Sequence, residues 1–154
     1  MVTRSRKLFA FPVILGAVGL VAAQAAPRQD VPPDVAYRQS VMQGLRAHTG
    51  AIRAIANGSV PHQGHLVEHA RAVQDLAVMM GDVFPEGSGG EASDTRDDLW
   101  DRWDAFQEKL TAFQQATVHL TDAAESGDAE ALREAASEVT QGCRGCHGEF
   151  RKED

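Results

Sequence analysis

Cysteine is almost absent from the chain: Cys143 and Cys146 are the only two among 154 residues. This excludes a scaffold stapled by several disulfides, and a bridge closing so short a loop would add little stability. Aromatic residues are scarce at 6%, and β-branched residues are few, which argues against a sandwich or barrel. Basic residues are outnumbered, with 15 Lys and Arg against 22 Asp and Glu for a net charge of −7. That deficit argues against nucleic acid and anionic membrane surfaces as partners. What remains, a chain 43% hydrophobic and 24% charged and rich in Ala and Leu, suits one helical core and is short for two domains.

Part of the basic charge sits at the start. Arg4, Arg6 and Lys7 precede an apolar stretch from Leu8 to Ala23, and Ala23-Gln24-Ala25 offers the small side chains a signal peptidase accepts. Pro12, Gly16 and Gly19 interrupt the stretch, which is short for a membrane span. Residues 1–25 therefore read as an export signal cleaved near Ala25, not as an anchor. Its three basic residues, with no acid beside them, leave with it, and the net charge deepens from −7 to −10. No stable membrane association is expected of the mature chain.

Residues 26–33, ending in Pro32-Pro33, read as an exposed lead-in to a single domain over 34–154. A first helix is expected from Asp34, with Val41, Leu45, Ile52 and Ile55 on one stripe and Asn57-Gly58 as its stop. A second runs from Gln63 to Met80, where Leu66, Ala70, Val73, Ala77 and Met80 recur at steps of four and three. The glycine-rich stretch from Gly81 to Ser93 is expected to be a loop tacked to the core by Phe84. Thr95 or Asp97 would cap a third helix carrying Leu99, Trp103, Phe106, Leu110, Phe113, Thr117, Leu120 and Ala124. Asp128 would cap a fourth, in which Leu132, Ala135, Val139, Cys143, Cys146 and Phe150 share a face and Gly142 and Gly145 are weak points. The fold class is all-α, an antiparallel up-down four-helix bundle.

The chemistry is concentrated in Cys143-Arg144-Gly145-Cys146-His147. On a helix, two thiols and an imidazole at these offsets project from one side. The spacing is that of c-type haem attachment: the thiols add across the haem vinyl groups, and the imidazole becomes the proximal iron ligand. A thioredoxin-like pair would sit at a helix N-terminus within a βαβ unit, and a zinc site would need a second pair of ligands. Neither context is present. The expected cofactor is one covalently bound haem c, with Cys143 and Cys146 as attachment points and His147 as the iron ligand.

For the opposite axial position Met42 is the best candidate, on the apolar side of the first helix, with Met79 and Met80 as weaker rivals. Arg38, one turn before Met42, could pair with a haem propionate. His62, His65 and His69 lack a carboxylate or cysteine completing a metal site and read as a solvated polar face. His48 and His119 stand alone in sequence and receive no role.

These residues resemble the class II c-type cytochromes, the cytochrome c′ family, over nearly all of the mature chain. Tyr37-Arg38-Gln39-Ser40-Val41-Met42 is similar to the family's opening motif, Phe84-Pro85-Glu86-Gly87-Ser88 to its loop, and Leu99-Trp100 with Phe106 and Phe113 to its third-helix aromatics. Cys143 to His147, followed by Phe150-Arg151-Lys152, is similar to its ending. The resemblance implies that Arg38 and Gln39 lie at the haem propionates, that Arg151 lies by the proximal imidazole, and that members pair through their first two helices into homodimers. In the family a methionine at the position of Met42 implies the low-spin branch with Met/His ligation. The reading from sequence is therefore a periplasmic monohaem carrier of single electrons between redox partner proteins, six-coordinate through His147 and Met42 and not an enzyme. The alternative is a five-coordinate protein that binds nitric oxide or carbon monoxide, and a haem-free bundle or thiol oxidoreductase is a third reading.

Overall fold

The computed structural model describes residues 31–153; the expected export signal and its cleavage site lie outside them. Among the described residues four α-helices make up the fold: α1 (Pro33–Ala56), α2 (Leu66–Met79), α3 (Trp103–Ser126) and α4 (Ala129–Phe150). Cross-links fix their directions. Arg71 on α2 meets Glu125 near the end of α3, whereas Gln114 earlier on α3 reaches the Ala77 carbonyl later on α2. His119 and Lys109 on α3 meet Glu138 and Glu149 on α4 in the same reversed order. The helices run alternately up and down, as an antiparallel bundle requires. The contact between α1 and α4 is sparse beside that of the consecutive pairs.

Each apolar stripe expected from the periodicity turns inward. Val41, Leu45, Ile52 and Ile55 from α1, Ala70, Val73 and Ala77 from α2, Phe106, Leu110, Phe113 and Leu120 from α3, and Leu132, Ala135 and Val139 from α4 are all buried. At one end Phe106 sits between Phe84 of the long loop and Phe150 of α4, with ring centroids at 4.8 Å and 5.4 Å in edge-on geometry. Phe84 is thus the tack that its loop needed.

The helix ends differ from expectation in instructive ways. α1 starts one residue early, because Pro33 occupies the first turn, where the missing N–H would have no partner. The second helix begins as a 3₁₀ turn over Gln63–His65. Neither Thr95 nor Asp97 caps the third: a 3₁₀ segment, Asp97–Arg102, leads into α3. Asp97 instead accepts from the Gly90 N–H, and Thr95 pairs with Arg151. Asp128 does cap α4, its carboxylate accepting from the N–H groups of Glu130 and Ala131, and Gly127 before it takes the left-handed φ of 71° that ends α3.

Candidate functional site

Cys143, Cys146 and His147 occupy the last turns of α4 and line a cavity of about 570 Å³ between α4 and α1. Gly142 lets this part of α4 approach α3: a Cβ there would stand 3.1 Å from the Phe113 ring. Sequence alone marks it as a helix-weakening residue; its use is close packing. Beyond the helix the chain is pinned, with Arg96 N–H donating to Phe150 O at 2.9 Å and Lys152 N–H to Asp94 O at 2.7 Å. Arg102 reinforces the same corner, stacking over the Phe150 ring and donating to Glu149 O at 2.8 Å. Both thiols are therefore presented from a fixed helix end.

Electrostatics set these thiols apart from a redox pair. Burial, and then the neighbouring Cys143, pushes the Cys146 thiol up to about 11, and burial also raises that of Cys143. A nucleophilic dithiol needs the opposite shift, so thiol oxidoreductase chemistry is disfavoured. Burial and the charge of Arg151 lower the pKa of His147, which favours the neutral imidazole that can ligate a metal. Among the described residues no group of three His, Cys, Asp or Glu side chains forms an independent metal cage.

Across the cavity α1 contributes Val35, Gln39, Met42 and Leu45, while Phe113 and Val139 add apolar wall and Arg46, Arg144 and Arg151 add charge. The structure thus brings Met42, Gln39 and Arg151 to the same cavity as the Cys-x-x-Cys-His segment. Met80, a rival ligand by sequence, is buried in the core, and Met79 is exposed; neither lines the cavity. Arg151 N–H also donates to His147 O at 3.1 Å.

Arg38 lines the cavity too, but its guanidinium serves the long loop. It donates to Val83 O at 3.1 Å, Ser88 Oγ at 2.7 Å, Ser88 O at 2.6 Å and Ser93 Oγ at 2.8 Å. Its four terminal N–H groups are thereby taken in a tether between α1 and the loop. Ser88 and Ser93 carry no signal in the sequence that marks them as its partners, because they lie 50 and 55 residues away.

The donor set fits a haem: paired neutral thiols and a neutral imidazole line a cavity of a volume ordinary for cofactors. Residues 34–151 match the family model for Cytochrome C'. The chain belongs to the cytochrome c′ family. A cytochrome c' from Alcaligenes xylosoxydans xylosoxydans is 31% identical over 119 residues, covering 77% of this chain and 92% of that protein. Among solved structures, the nitric oxide complex of a variant of cytochrome c prime from Alcaligenes xylosoxidans aligns with a TM-score of 0.73 at 30% identity, over 79% of this chain and 94% of that one. A carbon monoxide-bound variant aligns with a TM-score of 0.72 at 30% identity, over 78% and 94%. Like its relatives, the chain binds one covalently attached haem c.

These relatives correct the main functional expectation. A six-coordinate carrier holding His147 and Met42 on the iron leaves no position for a gas, and the relatives' structures contain nitric oxide and carbon monoxide. The low-spin Met/His branch is set aside with it. The physical reason is that Met42's place on the apolar side of α1 shows only that it faces the cavity.

Proposed function

We propose that the chain is a five-coordinate haem protein whose distal face receives a small neutral gas, nitric oxide or carbon monoxide, as the alternative reading holds. The apolar wall that α1 turns toward the cavity, Val35, Met42 and Leu45, carries this reading. Such a wall offers room for a diatomic molecule, which carries little hydration to lose on entering. Cys143 and Cys146 form the thioethers, His147 is the proximal ligand, and Arg151 stands beside it. Gln39 and Arg46, at the cavity, are suited to the haem carboxylates. When bound, the haem would supply an iron able to change oxidation state and to take a diatomic ligand.

The protein is read as a ligand binder and not as an enzyme, exported to the periplasm. Among the described residues no helix is long and apolar enough to cross a membrane. Tyr37 near the start of α1 and Val78 and Met79 at the end of α2 are exposed, at the same end of the antiparallel pair, which supports homodimer pairing there. Redox partner proteins would reach the iron through the haem edge. The test is magnetic and optical: a high-spin ferric spectrum, with prompt carbon monoxide binding on reduction, is expected. A low-spin spectrum with a sulfur ligand in both oxidation states would overturn the reading.

A further inference from the structure

The four histidines outside the haem segment on α1, α2 and the turn before it are not independent. His48 on α1 and His69 on α2 face each other with Nδ1 atoms 2.9 Å apart and ring centroids 5.1 Å apart. His65 lies one helical turn before His69, and its ring stacks on His62 at 5.2 Å with only 9° between planes. Sequence periodicity assigns three of these to a solvated face and leaves His48 unconnected. The fold joins them across the α1–α2 seam.

A shared proton accounts for the 2.9 Å contact in the metal-free chain, one Nδ1 donating to the other. The same separation has a second meaning. Two imidazole nitrogens bound at about 2.0–2.1 Å and at right angles on one metal stand about 2.9 Å apart, whereas a tetrahedral angle spreads them to about 3.3 Å. The spacing is that of a cis pair on a tetragonal centre, the geometry of copper(II) and nickel(II). We propose that His48 and His69 form a surface site for a tetragonal divalent transition metal, copper(II) above all, that clips α1 to α2, with His65, one turn before His69, as a further donor.

Binding requires the ring that donates through Nδ1 to move its proton to Nε2, a tautomer change with no net loss of protons. Both rings are half-buried and reachable from solvent. Burial, and then the charges of His48 and His65, hold the pKa of His69 down, which keeps its lone pair available near neutral pH. Among the described residues no three ligating side chains already converge, so the seat is a two-nitrogen one, completed by water or by rotation of His65. This makes the nitrogen-preferring end of the divalent series the natural occupant, because weaker binders in that series need a fuller cage.

The experiment uses the ferric holoprotein, stripped of adventitious metal and titrated with copper(II) in a non-coordinating buffer. One copper per chain is expected, with imidazole nitrogen coupling in its electron paramagnetic resonance spectrum and a rise in thermal midpoint. His48→Gln and His69→Gln should each weaken binding by more than the roughly tenfold that loss of an outer partner costs a metal site. His119→Gln, on α3, should leave it unchanged. Retention of the full copper affinity in both His48→Gln and His69→Gln, equal loss in His119→Gln, or the absence of a bound copper in the wild type would overturn the site. The haem spectrum, read in the same samples, keeps the outcome independent of the gas-binding reading.

Discussion

Arg38 grips Ser88 twice, donating to its carbonyl oxygen at 2.6 Å and its hydroxyl at 2.7 Å. The same guanidinium lies 4.9 Å from the Phe84 ring centroid and is only 4% exposed. One side chain on α1 thus orders the loop that carries Phe84 into the core, and the loop's far end pairs with the residues after the haem segment. Arg38→Met should leave the Val83 and Ser88 carbonyls and the Ser93 hydroxyl without their donor. A loss of about 2–4 kcal/mol is expected in urea denaturation, and Arg38→Lys should recover only part of it, because an ammonium cannot reproduce the planar fork. Wild-type stability in Arg38→Met would show that the tether is not structural.

Attachment divides between two sulfurs. Cys143→Ser or Cys146→Ser alone should leave one thioether and retain the haem through acid-acetone extraction, with the shifted pyridine haemochrome band of a single bond. The double variant should release it. His147→Ala should leave attachment intact and remove the proximal nitrogen, visible in the ferrous spectrum.

The helix periods were readable because each stripe needed only local spacing, and Asp128 was readable as a cap for the same reason. The entry to α3 was not: Asp97 and Thr95 look like caps in sequence but serve Gly90 and Arg151 instead. Cys143, Cys146 and His147 announce their chemistry within five residues. The tether from Arg38 to Ser88 and Ser93, and the contact between His48 and His69, depend on which helices become neighbours, and no local pattern encodes that. Met42 shows the opposite hazard, since its place facing the cavity was legible and its bond to iron was an extrapolation from it.

The lowered pKa of His69 predicts a pH dependence. The unfolded chain takes up this proton first as pH falls below the ordinary histidine value, near 6.5, so the contribution to stability is present above that value. It is lost as pH falls through the depressed folded value. Thermal midpoints measured in metal-free buffer between about pH 7.5 and 5 should decline more steeply for wild type than for His69→Gln. Identical slopes would remove His69 from the account.

Asp128 gives a shift of the same sign from a different cause, since the Ala131 and Glu130 N–H groups hold its carboxyl below the usual aspartate value. Its contribution should be present above about pH 4 and lost in acid as the carboxyl protonates. Asp128→Ala should lower the thermal midpoint at pH 7 and lower it less near pH 3, whereas Asp128→Asn, which keeps an accepting oxygen, should fall between wild type and Ala.

Met42 separates the two haem readings in a single series. If it walls an open distal face, Met42→Leu keeps the wall apolar and near the same volume, so the ferric protein should stay high-spin and carbon monoxide should bind much as before. If it were bonded to iron, the same change would delete a ligand and convert the spectrum from low-spin to high-spin. Met42→Ala goes further under the first reading. Removing most of a half-buried side chain opens the α1 side of the cavity, and the second-order rate of carbon monoxide binding, followed by stopped flow on the ferrous protein, should rise roughly tenfold, equivalent to about 1.4 kcal/mol off the entry barrier. The stability loss should stay below the roughly 2–5 kcal/mol of a fully buried Met→Ala change, because Met42 is packed against the core on one side only. A Met42→Leu protein whose spin state differs from that of wild type would return the thioether to the iron.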